Sequence, residues 1–390
     1  MNHQPPTSPL RDFALEVHFS KWEFNARHHL TASDMESLSL RDLLALGTDA
    51  DREAFEATSL GYTETWGAPD LRTAIAATYD TMAQDNILTL AGAGEGLYAL
   101  ARVLLGPNDH AIVPTPNYQS AETVPAAICE TTGVPMRIEG GKWRLDIDAI
   151  KDAIRPNTRL ISLNFPHNPT GALMPRADLD TLITLARADG IYILCDEVYR
   201  GVELDPNLQM PQIADVYERG ISLNVLSKAY GLPGLRIGWL ASPDRDVLQR
   251  VERYKHYLSI CNAAPAERLG MIALAAREQI FARNRALLRR NLTAFEALLA
   301  DFPGLIDFSA PEGGCVAYPR YTGPGTVETF CADLIENHGI LLLPAGLYRS
   351  DLGATPDDRF RIGLGRDRAV ADGITALRRY FEDHKAEFAA

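Results

Sequence analysis

At 390 residues, 46% of them apolar and 23% charged, the chain is long enough for one large core and a smaller companion, and is balanced like a globular protein rather than a disordered or fibrous one. A formal net charge of −13 argues against general nucleic-acid binding and against anionic membranes, since both need a basic surface. No apolar run approaches the roughly 18–20 residues that span a bilayer, and the five scattered cysteines show neither metal spacing nor a disulfide framework, so a reducing cytoplasm is the expected setting.

The first residues, MNHQPPTSPLRDFALEVHFS, lack the basic stretch and apolar core of a leader peptide. The next stretch, FSKWEFNARHHLTASDMESLSL (19–40), is dense in aromatics and histidines. Its Trp22, Phe24, His28 and His29 read either as packing or as specificity residues, and Ser33 and Asp34 read as a helix cap as readily as a site. Short apolar runs then alternate with helical patterns: ILTLA (87–91), HAIVP (110–114), RLISLNF (159–165), IYILC (191–195), ISLNVL (221–226) and IGWLA (237–241). Helix candidates between them include GLYALARVLL (96–105) and ADLDTLITLARADG (177–190). This alternation predicts an α/β fold: a large domain with a mostly parallel sheet covered by helices on both faces. A long amphipathic pattern over 278–299 leads out of it. Strand candidates EGGCVAYPRY (312–321), GILLLPAG (339–346) and RFRIGLG (359–365) then predict a smaller α+β domain onto which the N-terminal stretch returns. The expected division is 46–283 for the large domain, with 1–45 and 284–390 forming the small one.

Ligands of open α/β sheets bind beyond the carboxyl ends of the strands, so the residues that follow each strand carry the functional signal. GAGEG (92–96) opens a helix where backbone N–H groups face an anion, although a plain tight turn explains it equally, and it lacks the third glycine of a dinucleotide fingerprint. PTPNY (114–118) presents Tyr118, and NFPHNPTG (164–171) holds Asn168 in what is otherwise an ordinary Asn-Pro turn. DEVY (196–199) places Asp196 after a buried strand with Tyr199 three residues on; a lone strand-end Asp is otherwise a helix cap. LSKAYGLPGLRIGW (226–239) puts Lys228 after an apolar strand, with Arg236 beyond it; such a lysine costs desolvation energy unless it reaches solvent, is paired, or is used for its amine. Taken together, these groups make up the set that holds pyridoxal 5′-phosphate (PLP).

With S-K-A-Y-G-L-P-G-L-R-I-G, HNPTG and DEVY in this order, the chain resembles the class I/II aminotransferases, fold-type-I PLP enzymes of aspartate-aminotransferase-like architecture, over most of its length from Tyr62 to Arg361. The resemblance implies that Lys228 forms the Schiff base with PLP and moves the α-proton, while Asp196 pairs with the ring nitrogen. It further implies that Asn168 and Tyr199 bond the phenolic oxygen and that Tyr118 stacks on the ring. Arg236, Ser227 and the N–H groups of Ala93 and Gly94 would hold the phosphate. Arg361, with Asn168, would bind the substrate, gripping its α-carboxylate. GYTETWGAPDLRTAI (61–75) is similar to an element whose tyrosine reaches the neighbouring subunit's phosphate, so Tyr62 implies a homodimer with shared active sites, unless it merely opens a helical segment.

Two positions depart from that pattern. Val225 stands where many relatives place a hydroxyl on the phosphate. HYLSICNAAPAE (256–267), matched near Leu258, holds no arginine, which makes a dicarboxylic donor unexpected. His256 and Tyr257 there read as pocket or packing residues. The expected activity is transfer of an amino group from an L-amino acid to a 2-oxo acid. The same motifs, with GGCVAYP (313–319), are also similar to capreomycidine synthase, a cyclising relative, and to C–S lyases, because cofactor-holding residues do not fix the reaction. A PLP-dependent transcription factor is disfavoured by the acidic chain and the absence of a basic recognition helix.

Overall fold

The computed structural model describes residues 10–388; residues 1–9, part of the N-terminal contribution expected for the small domain, and 389–390 lie outside them. A seven-stranded sheet organises the molecule: β1 (Ile87–Leu90), β2 (His110–Thr115), β3 (Glu130–Pro135), β4 (Thr158–Asn164), β5 (Tyr192–Asp196), β6 (Gly220–Val225) and β7 (Gly238–Ala241). Its order is β1-β7-β6-β5-β4-β2-β3, with β7 antiparallel to both neighbours and the remaining pairs parallel.

Six of these strands coincide with the apolar runs. The seventh, β3, gives no such signal: ETTGVP lies at the sheet edge and buries only Val134, and an edge strand need not be apolar on both faces. In the interior, β5 shows why the runs are continuous. Tyr192 and Leu194 enter one core while Ile193 and Cys195 enter the other. The first core is closed by α2 (Ala93–Leu104) and α4 (Arg245–Lys255), through Leu97, Leu100, Leu104, Val247, Leu248 and Val251. The second is closed by α3 (Arg176–Asp189), through Leu179, Leu182, Ile183 and Ala186.

The long helix expected over 278–299 is α5 (Arg277–Asp301). Beyond it, β8 (Val316–Ala317), β9 (Leu343–Pro344) and β10 (Phe360–Gly363) form a three-stranded antiparallel sheet in the order β8-β10-β9, followed by α6 (Arg368–Asp383). The N-terminal stretch does return: after α1 (Ala14–Trp22), His28–His29 pairs in parallel with Ile340–Leu341. It then runs past the end of β6, where the Met35 N–H donates to the Lys228 carbonyl at 3.2 Å. Gly231 makes that approach possible: at φ 69°, a Cβ there would lie 2.8 Å from the Glu36 carbonyl oxygen. Among the described residues no helix is long and apolar enough to cross a membrane, and Cys129, Cys195, Cys261, Cys315 and Cys331 are all free.

Candidate active site

The carboxyl ends of β1, β2, β4, β5 and β6 converge on a cavity of about 280 Å³, lined by Ala93, Gly94, Tyr118, Asn168, Asp196, Tyr199, Ser227, Lys228 and Arg236. Nine residues singled out from separate sequence motifs therefore share one space.

Lys228 follows β6 on a turn closed by the Gly231 N–H to the Lys228 carbonyl. Its Nζ donates to Ser33 Oγ at 2.9 Å. Burial lowers its pKa, opposed by Asp34 and, more weakly, Asp196. One hydroxyl leaves an ammonium under-solvated, which favours the free amine. Asp196 ends β5, and its carboxylate accepts from the Val198 N–H at 3.2 Å. Burial pushes its pKa up to about 7, with that N–H and Lys228 offsetting only part of the rise. Tyr199, 1% exposed, has a hydroxyl with no hydrogen-bond partner, near enough to Ser33 to feel its oxygen. Tyr118 stands opposite, its hydroxyl donating to Glu16 Oε1 at 3.1 Å.

The glycine-rich turn forms a cradle. Gly92, at φ 115°, caps α2, and the Arg236 guanidinium passes so close beneath it that a Cβ at 92 would lie 2.3 Å from Nη2. Arg236 donates to the Ala91 carbonyl at 3.0 Å and reaches Ser227 Oγ at 3.5 Å. Above Gly94 there is open space, with no atom within 4 Å of a built Cβ. A helix N-terminus, a guanidinium and a hydroxyl beside open space fit a phosphate dianion. Val225 lines the same cavity and adds an apolar wall there.

Arg361, on β10, is fully buried. It donates to Asn168 Oδ1 at 3.2 Å and to the Thr31 carbonyl at 2.6 Å, while its Nε has no partner among the described residues. Among the described residues no carboxylate neutralises it. Asn168 is held in turn by Asn164, whose Oδ1 accepts the Asn168 N–H at 2.8 Å and whose Nδ2 donates to the Asp196 carbonyl at 2.9 Å. Asn164 is a site residue that sequence reading passed over, although it opens the NFPHNPTG turn.

Other expected positions fall elsewhere. Tyr62 is 89% exposed and does not line this chain's cavity. His256 pairs with Glu252 at 3.1 Å and Tyr257 faces solvent, so neither is a pocket residue within this chain. Ser33 and Asp34 cap no helix: Ser33 holds Lys228, and Asp34 pairs with Arg366 at 2.6 Å. Of the N-terminal aromatics and histidines, Phe24 and His29 line a second, outer cavity of about 530 Å³ that shares Tyr118, Lys228 and Pro233 with the inner one; Trp22 and His28 do not line it. Glu16 and Glu23, also on its wall, carry no motif and were not legible in advance.

The model of the aminotransferase class I and II family matches residues 32–377. The chain is 30% identical to capreomycidine synthase of Streptomyces vinaceus over 95% of its own length and 93% of that protein's. It is 31% identical to arginine–pyruvate transaminase of Pseudomonas aeruginosa, over 72% of this chain and 70% of that one. A solved PLP-dependent aminotransferase from Streptococcus suis superposes with a TM-score of 0.88 at 30% identity, covering 96% of this chain and 98% of that one.

Proposed function

The chain belongs to the aminotransferase class I and II family of PLP-dependent enzymes, and from that premise we propose that it moves the amino group of a non-dicarboxylic L-amino acid to a 2-oxo acid. The observation that carries this reading is Arg361, a fully buried cation with a free Nε and no carboxylate of its own. A buried unpaired charge costs several kcal/mol unless an anion arrives, and an α-carboxylate is the fitting one.

The residues present fit the cofactor. Arg236, Ser227 and the Ala93 and Gly94 N–H groups would hold its phosphate, and Asp196 its ring nitrogen. Asn168 and the unpartnered Tyr199 hydroxyl would hold its phenolic oxygen, and Tyr118 would cover its ring. Bound there, PLP supplies an electron sink for charge developing at the substrate's α-carbon. The chain's own groups do the rest. Lys228, left with a lowered pKa, takes the α-proton and later returns one, while Ser33 holds its Nζ. Arg361 and Asn168 orient the carboxylate.

A homodimer is part of the proposal. Leu60, Tyr62 and Tyr257 are 85%, 89% and 89% exposed, and Thr63 Oγ1 ties their two segments together by donating to the Asn262 carbonyl at 2.9 Å. The Ser259 N–H donates to Glu95 Oε1 at 3.2 Å, which ties this segment to the first turn of α2, and an exposed apolar patch there suits a second copy, whose Tyr62 would reach the phosphate. The free cysteines fit a cytoplasmic setting.

The test is a holoenzyme given one amino acid without an acceptor. Loss of the cofactor's visible absorbance, with one equivalent of 2-oxo acid per site, is expected. Similarity to capreomycidine synthase over 95% of the chain favours elimination or cyclisation as the second reading. Its signature would be continuous turnover without acceptor, giving ammonia or a cyclic product. A holoenzyme unresponsive to every amino acid would overturn both.

A further inference from the structure

The outer cavity adjoins Lys228 and has walls from α1, from residues 32–36 and from the start of α6. Four carboxylates face it: Glu16, Glu23, Asp34 and Glu36. Two are already engaged. Asp34 pairs with Arg366 at 2.6 Å, and Glu36 accepts the Asp367 N–H at 2.7 Å. The remaining cation on the wall, Arg368, is turned to Asp372 at 3.4 Å.

Glu16 and Glu23 are left, and among the described residues neither has an ion-pair partner. The polar contact of Glu16 is the Tyr118 hydroxyl, which spans the two cavities. Glu16 and Glu23 line the same space; burial raises the pKa of Glu23, Glu16 and Asp34 raise it further, and Lys228 and Arg366 offset part of that rise. Independently of these acids, the inner cavity holds the unpartnered hydroxyl of Tyr199 and is backed by the fully buried Arg361, which bonds its lining residue Asn168 and keeps an unpartnered Nε, so the adjoining space suits a ligand with an anionic end. Phe19 and His29, stacked with centroids 6.2 Å apart and planes at 18°, form a flat wall beside the acids. Burial lowers the His29 pKa, so this imidazole is uncharged near neutral pH and does not repel a cation.

We propose that Glu16 and Glu23 are specificity residues and that the amino donor carries a cationic side chain, its guanidinium or ammonium lodged between these two carboxylates. This rests on the reading of the Lys228 cavity as the amino-acid site. A planar guanidinium suits two carboxylates best, because each of its edges offers paired N–H donors.

The experiment titrates PLP-loaded enzyme with L-arginine, L-lysine and their neutral counterparts L-citrulline and L-norleucine, reading the Kd from the change in visible absorbance and, separately, KM and kcat. Arginine is expected to bind at least about tenfold more tightly than citrulline. The Glu16→Gln/Glu23→Gln double variant should bring that ratio close to one, mainly through KM. Circular dichroism and melting on the same samples exclude a folding defect. Equal affinity for arginine and citrulline in the wild type, or a preference that survives in the double variant, would overturn the assignment while leaving the amino-acid site intact. If none of the four amino acids perturbs the absorbance, this assignment falls, whereas the amino-acid site itself falls only if every other amino acid is silent too.

Discussion

Among the described residues two lysines are withdrawn from the surface, Lys255 fully and Lys228 partly, in surroundings that differ in one respect. Lys255, at the end of α4, is fully buried and donates to the Thr65 and Thr89 carbonyls at 2.7 and 2.8 Å and to Asn262 Oδ1 at 3.3 Å. Lys228 has one acceptor, the Ser33 hydroxyl at 2.9 Å, and otherwise faces a cavity. Burial lowers both pKa values, that of Lys255 to about 8. Depressed basicity therefore does not separate a structural lysine from a chemical one. Unspent hydrogen-bonding capacity next to empty space does.

The adjacent carboxyls Asp196 and Glu197 repeat the contrast. Burial pushes both up to about 7. Glu197 is held inside the protein through Oε1, which accepts from the Ile213 N–H at 2.9 Å and Ser222 Oγ at 3.0 Å, its Oε2 having no partner among the described residues, whereas Asp196 lines the Lys228 cavity with the Val198 N–H as its contact. Consecutive residues leaving one strand point to opposite faces, so one serves the core and the other the site.

These pairs can be pulled apart by substitution. Lys228→Ala should cost the most, lowering kcat by roughly 10²–10⁴-fold or beyond while leaving the melting temperature of the apo-protein nearly unchanged. Steady-state rates and a thermal melt measured on one preparation check it. Lys255→Met should do the reverse. It takes the ammonium donor from the Thr65 and Thr89 carbonyls, Asn262 Oδ1 keeping the Thr89 hydroxyl at 2.8 Å, and should destabilise by about 2 kcal/mol or more in urea unfolding, with near-normal turnover per folded molecule. If Lys255→Met abolished turnover in a fully folded enzyme, the contrast would fail.

Asp196→Asn should lower kcat by roughly a hundredfold, about 2.7 kcal/mol of barrier, and shift the visible spectrum of bound PLP. Glu197→Gln should move neither. The smallest effect is in pH dependence. The folded-state pKa of Glu197 is raised, so the folded protein holds a proton that the unfolded chain releases above its ordinary value of 4.5. Its contribution to stability is full below that value and is lost as pH rises through about 7. Apo-protein stability should therefore decline from about pH 5 to pH 8, and Glu197→Gln should remove on the order of 2 kcal/mol of that decline. A wild-type profile flat over this window would contradict it.

Much of the site was legible because each element is local. A strand end, its turn and the side chain that the turn presents are contiguous, so SKAYGLPGLR, HNPTG and DEVY each encode their own geometry. The edge strand β3 escaped because it is not buried on both faces. Ser33 was ambiguous because its role depends on a residue 195 positions away. Glu16 and Glu23 were invisible, since charged residues on a helix or in the turn after it ordinarily face solvent.

The sequence by itself determined the α/β layering and the motif residues that gather at the Lys228 cavity, with their order along the chain, because buried strands and tight turns are fixed by neighbouring residues. Only the tertiary structure decided that, among the described residues, Arg361 stays buried without a counterion, that Ser33 rather than a carboxylate holds Lys228, and that Glu16 of α1 and Glu23 just beyond it overlook the same space without ion-pair partners. Those outcomes depend on how the N-terminal stretch docks across the end of β6. That docking is set by close backbone approach and long-range packing, which no local pattern of residues records.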